Sequence, residues 1–157
     1  MGPSIKLISA CLLGTKCTWD ATNRYRDGRA LQLLEGDVLI PVCPEQLGGL
    51  KTPRPPQEIQ GGSGGDVLDG KCRVKNINGE DITREFIRGA EETLRIARLF
   101  RVRQFIGKSR SPSCGCRQVY DGTFSGKPVD GDGVTAALLK RNGVEVITEE
   151  DLSQQTT

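Results

Sequence analysis

Three cysteines stand at the ends of short apolar runs: Cys11 in SIKLISACLLG, Cys43 in DVLIPVCPEQLGG and Cys114 in QFIGKSRSPSCG. Each run reads as a strand, and each cysteine opens a loop marked by Gly or Pro. In a parallel sheet the carboxyl ends of such strands meet along one edge, so three sulfurs from distant parts of the chain would face one crevice. Three soft ligands without a fourth is the pattern of a metal centre with an open coordination position. A structural zinc takes four ligands, so the trio favours iron–sulfur over zinc. The spacing contains no CxxC and no ferredoxin-like run, and cysteine also packs well as a small buried apolar residue. Cys17 reads as a fourth ligand or a neighbouring free thiol. Cys116 has no assigned role, and Cys72 reads as structural.

The residues around these cysteines limit the chemistry. The chain contains no histidine, which removes Ser-His-Asp and Cys-His nucleophiles and His-based zinc sites together. Proton transfer then falls to carboxylates, Lys, Tyr, Ser or water. Glu45 follows Cys43-Pro44 and is a candidate general acid or base beside a thiolate-bound metal. Ser109, Ser111 and Ser113 flank Pro112, where their hydroxyls could hold a polar ligand or a developing oxyanion, or serve turn chemistry. Gly48-Gly49 and Gly14 permit close backbone approach, but no dinucleotide fingerprint or P-loop lysine accompanies them. Arg54 in TPRPP reads as a surface arginine, with an anionic or carbonyl ligand as its other possible role.

The 157 residues predict a single domain spanning 1–157, and a chain of this size buries roughly 70% of its unfolded surface. Lys+Arg 22 against Asp+Glu 20 gives a net charge of only +2, and aromatics make up 4%. Neither an electrostatic footprint nor stacking platforms for nucleic acid are expected. No apolar run approaches the ~20 residues of a membrane span. The amino-terminal stretch resembles neither a signal nor a transit peptide, so the expected location is the cytoplasm, where cysteines serve as thiols or metal ligands.

Strand and helix alternate, which predicts an α/β, Rossmann-like three-layer fold with a mostly parallel sheet and its site at the carboxyl ends of the strands. Strands are expected at residues 5–10, 37–42, 102–106 and 144–148. A short helix is expected near 28–34, with Ala30, Leu31 and Leu34 on one face and Gly36 as its stop. The longest helix, about 84–100, should bury Phe86, Ala90, Leu94 and Ala97 and be capped by Thr83 or Asp81. Another, about 133–141, should be capped by Asp132. Residues 53–65 (TPRPPQEI and GGSGG) read as irregular. Val67, Leu68, Cys72, Val74 and Ile77 read as a hairpin or irregular edge, with turns at Asp69-Gly70 and Asn78-Gly79. Residues 153–157 read as a frayed tail.

Taken in order, CLLGTKCTWD, VCPEQLGGLKTPRPPQEI, GDVLDG, the run from Thr83 to Ala90, KSRSPSCG, YDGTFSG and GDGVTAALL resemble the small single-domain thiouracil desulfidase family. The match extends from about residue 5 to 150 and departs chiefly after Cys17, where TWD-ATNRY replaces a Tyr-Asp-Gly-like run. The resemblance implies an oxygen-sensitive [4Fe-4S] cluster held by Cys11, Cys43 and Cys114. Its fourth iron, free of protein, would act as a Lewis acid on a thiocarbonyl sulfur, without net redox change. Glu45 matches the family's proton-transfer residue and Ser111 its catalytic serine. The implied reaction converts a thiolated nucleobase such as 2-thiouracil to uracil with release of sulfide, in a monomer or weak homodimer. Two other readings remain open at this point: an iron–sulfur or sulfur-binding module without turnover, and a structural zinc-binding α/β domain.

Overall fold

A computed structural model describes residues 2–22 and 28–154. In chain order the elements are β1 Ile5–Ser9, a 3-10 turn Ala10–Leu13, α1 Gly28–Leu33, β2 Val38–Val42, α2 Pro44–Leu47, β3 Gln57–Gln60, α3 Gly64–Leu68, β4 Arg73–Asn76, α4 Thr83–Leu99, β5 Gln104–Gly107, β6 Gln118–Tyr120, β7 Pro128–Asp130, α5 Val134–Arg141, β8 Glu145–Thr148 and α6 Glu149–Gln154. Four of the strands form one parallel sheet in the order β2-β1-β5-β8. Among the described residues no helix is long and apolar enough to cross a membrane.

The sheet is covered on both faces, which is why its strands are apolar without alternation. Successive strand residues point to opposite faces. Leu7 and Phe105 pack with Leu94, Ala97, Ala136 and Leu139 of α4 and α5. Ile8 and Ile106, one residue on, pack with Leu34 and Leu152 on the side of α1 and α6. This is the three-layer α/β arrangement expected from the alternating pattern. Leu31 joins the second cluster, whereas the side chain of Ala30 lies outside the described residues. Gly36 ends that segment at φ +93, a conformation glycine adopts freely.

Residues 53–65 depart from expectation. They contain β3, which pairs antiparallel with β4, and α3 begins at Gly64. The polar run Gln57-Glu58-Ile59-Gln60 carries no apolar alternation, yet the Glu58 carboxylate accepts the Gly122 and Phe124 N–H groups at 2.9 and 3.2 Å. Tertiary partners therefore make the strand. The glycines before α3 are offset by a capping box, in which Asp66 accepts from the Ser63 N–H and hydroxyl at 2.9 and 3.0 Å. Gly64 is required there, because a Cβ would lie 2.3 Å from the Gly133 carbonyl. Val67 and Leu68 consequently belong to α3, and only the second strand of the expected hairpin is where the sequence placed it. A third core cluster, with Ile59, Val67, Val74 and Val119, packs against Phe86 and Ala90. Thus α4 spans two cores, its first half facing this lobe and its second half the sheet.

The capping expectations divide. Asp81 Oδ1 accepts the Thr83 N–H at 3.0 Å and caps α4. Asp132 does not cap α5: it accepts from Arg117 N–H at 2.8 Å and from Lys140 Nζ. The first N–H groups of α5 are instead taken by the Pro112 and Ser113 carbonyls, at 2.8 Å from Val134 N and 2.9 Å from Thr135 N. Residues 153 and 154, expected to fray, complete α6, and 155–157 lie outside the described residues. Three acidic residues in its first turn suit the positive end of the helix dipole.

Helices α2 and α4 meet backbone to backbone. A Cβ on Gly89 would sit 1.9 Å from the Pro44 carbonyl oxygen, and one on Gly48 1.9 Å from that of Glu85. The close approach anticipated for Gly48 is therefore made to a helix of the chain's own core. Gly89→Ala would gain about 1 kcal/mol of helix propensity, but overpacking costs roughly 1–3 kcal/mol. The variant should unfold at lower urea concentration than the parent; an unchanged midpoint would show that α2 moves aside freely.

Candidate active site

In the sheet, β1 lies between β2 and β5, so the chain leaves β1 toward one neighbour and later returns on its other side. Ligands of open α/β sheets bind beyond the carboxyl ends at such a switch point. A cleft of about 330 Å³ lies there, lined by Cys11, Cys43, Cys114, Glu45 and Ser111. The five residues proposed from the sequence therefore share one cavity, though two occupy different local positions than expected. Cys11 sits in the 3-10 turn after β1, and Cys114 lies in the loop beyond β5, well past the strand end. Cys43 is the N-cap residue of α2.

The Cys114 loop is held by backbone contacts that only glycine allows. A Cβ on Gly107 would lie 2.1 Å from the Cys114 carbonyl oxygen, and one on Gly133 would lie 2.5 Å from the Ser113 carbonyl carbon. Cys114 is thereby buried to 5% exposure. Burial pushes its thiol up to about 12, opposed by the Ser9 and Ser113 hydroxyls and raised further by nearby Cys43 and Glu45. Cys17 is also buried in this cleft. Its thiol is pushed up to about 11, first by hydrogen-bonding contact with Cys11, against an opposing contact with Cys43. The Cys43 thiol is raised by Cys17, then by burial and the Glu45 charge. Such sulfurs are protonated near neutrality and poor nucleophiles. As metal ligands they must first release their protons.

The donor chemistry is of the kind that holds an iron–sulfur cluster, which proteins bind through thiolates: Cys11, Cys43 and Cys114 line the wall of one cavity. Among the described residues no group of three Cys, Asp or Glu side chains is arranged to hold a single metal ion.

Beside the sulfurs runs a polar chain. Arg54, read from sequence as a surface arginine, is only 8% exposed. Its Nε donates to Glu45 Oε1 at 3.0 Å and its Nη2 reaches the same oxygen at 2.9 Å and the Cys17 carbonyl at 2.9 Å. Nη1 donates to the Lys51 carbonyl and the Thr52 hydroxyl. The other carboxylate oxygen, Glu45 Oε2, accepts from the Ser113 hydroxyl at 2.9 Å. Ser113 Oγ lies 3.1 Å from Ser111 Oγ, which accepts the Cys114 N–H at 3.1 Å. Ser109 is separately engaged: its hydroxyl donates to Glu149 at 2.6 Å, and Lys108 Nζ bonds the same carboxylate at 2.9 Å.

Other residues of the cleft were not anticipated. Trp19, Gln57, Glu58, Lys108 and Tyr120 also line the cleft. Gln57 and Glu58 were hidden because β3 was read as irregular. Of the divergent TWD-ATNRY stretch, Trp19 lies on the cleft, while residues 23–27 are outside the described set.

Comparison with known proteins gives a consistent result. The model of the 2-thiouracil desulfurase family matches residues 7–151. The uncharacterized protein YbbK of Bacillus subtilis (strain 168) is 43% identical over 147 residues, covering 94% of this chain and 97% of its own. The solved structure of the [4Fe-4S]-dependent thiouracil desulfidase TudS superposes with a TM-score of 0.82 at 38% identity, over 98% of this chain and 95% of that one. With the family model spanning nearly the whole sheet and every loop of the cleft, this chain belongs to the 2-thiouracil desulfurase family.

Proposed function

We propose that this chain exchanges the sulfur of a thiolated nucleobase such as 2-thiouracil for the oxygen of one water, giving uracil and hydrogen sulfide, with a [4Fe-4S] cluster held by Cys11, Cys43 and Cys114. The observation that carries the reading is the shared cleft: three cysteines and the Glu45–Ser113–Ser111 chain face one cavity. The solved relative named as [4Fe-4S]-dependent and acting on thiouracil supports it. When bound, the cluster would supply a soft Lewis acid matched to a thiocarbonyl sulfur.

The protein's own groups supply the rest. Glu45 is the general base or acid, moving a proton at Oε2, the oxygen that faces Ser113. Ser113 and Ser111 extend that path into the cleft, with Ser111 as the catalytic hydroxyl. Arg54 occupies Oε1 with two nitrogens and so fixes which oxygen is available. Burial of Cys11 and Cys114 keeps water from their thiolates once they are metallated. A protein of this kind works on a free base, in a reducing cytoplasm, as a monomer or weak homodimer.

Protein purified without oxygen should contain iron and acid-labile sulfide in equal amounts and release sulfide from 2-thiouracil; iron-free, inactive protein under those conditions would refute the reading. Cys11→Ser, Cys43→Ser and Cys114→Ser should each lower bound iron, whereas Cys72→Ser should retain it. Glu45→Gln should keep iron but lower kcat by about 10²–10⁴-fold, and parental turnover in that variant would remove Glu45 from the mechanism.

A further inference from the structure

One buried polar group at the cleft takes no part in the desulfuration chemistry. Gln57 lines the cavity and is 9% exposed. Its polar neighbours are all engaged. Glu58 holds Gly122 and Phe124. Gln60 Nε2 donates to the Gly122 carbonyl at 3.0 Å. Asn76, opposite Gln57 across the β3–β4 ladder, accepts the Asn78 and Glu80 N–H groups and donates to the Glu80 carboxylate. Among the described residues the Gln57 carboxamide alone of this group has no hydrogen-bond partner. Its polar atoms retain some access to solvent, and the residue lines the cleft. A carboxamide that no other group of the protein engages is free to pair with a ligand entering that cleft.

The geometry points to Gln57 as the specificity residue that pairs with the N3–H and C4 carbonyl of a 4-oxopyrimidine-2-thione. This assignment rests on the reading of the cleft as a thiolated-nucleobase site. A carboxamide presents an acceptor oxygen and an NH₂ donor side by side. The N–H and C=O adjoining on a uracil-type ring offer the matching donor and acceptor, the bidentate logic by which amide side chains read base edges. With the sulfur-bearing carbon directed to the cysteines, that edge is the one left for recognition. Trp19 and Tyr120 line the same cavity and offer flat faces for the ring.

The test uses anaerobically purified, iron-loaded protein and two substrates, 2-thiouracil and pyrimidine-2-thione, which lacks the C4 oxygen. The parent should prefer 2-thiouracil. Gln57→Met should collapse that preference by about 10-fold or more, through KM with kcat little changed, at parental iron content. Calorimetric binding of uracil should weaken by a similar factor. Gln57→Glu, which keeps size and polarity but removes the NH₂ donor, gives the same readout should the Met variant fold poorly. A retained preference in a folded variant overturns the assignment while leaving desulfuration standing. If the parent turns over neither substrate yet binds uracil, and Gln57→Met loses that binding, the activity reading fails and the Gln57 assignment holds. A parent that neither binds nor converts the base refutes both.

Discussion

A guanidinium buried to 8% exposure must have its donors satisfied, and the organisation of the cleft follows from how Arg54 meets that demand. Its five hydrogen-bonding contacts tie together three separate stretches: the Cys17 turn, the Glu45 helix and the 51–52 loop. The first two carry or adjoin a cysteine of the cleft, Cys17 and Cys43. The arginine therefore sets the distance between the first two cysteine loops and the carboxylate. A buried charge tolerates no partial loss of partners, so this arrangement is all or none. Lysine could not replace it, having no planar fork to address a carboxylate and a carbonyl together.

The serine triplet illustrates how one short loop divides its labour. Ser109 is locked to Glu149 and Lys108, and so joins the loop to α6. Ser113 is bonded to Glu45, and Ser111 stands next to it while accepting backbone N–H groups of its own turn. The positive φ of Arg110, +61, turns the chain between the first and the others. Equivalent residue types thus reach distinct partners because the backbone, fixed by Gly107 and Gly133, leaves them no choice of direction.

Much of this was legible in the sequence. Apolar strands buried on both faces need no alternation, and their regular interruption by helices gave away the three-layer sheet. Helix α4 was plain because Phe86, Ala90, Leu94 and Ala97 repeat at helical spacing. Cys11 and Cys43 were visible because each closely follows such a strand, and Cys114 because it lies in the loop after one. The illegible parts share one cause: their order comes from groups distant in the chain. Strand β3 is polar and is held by the backbone of residues 122–124. Helix α3 is glycine-rich because its start touches Gly133. Asp132 resembled a cap because nothing local reveals that Pro112 and Ser113 have already taken those N–H groups. Arg54 looked exposed because its partners lie in the Glu45 helix and the Cys17 turn.

The carbonyls of Pro112 and Ser113 that close the start of α5 have a dynamic consequence. The loop cannot swing outward without stripping the amides of Val134 and Thr135 of their acceptors. Opening the sulfur-bearing wall and unwinding the first turn of a core helix are hence one event. The hydrogens on those two nitrogens will be retained against deuterium for as long as that wall stays shut, making them an internal clock for its breathing.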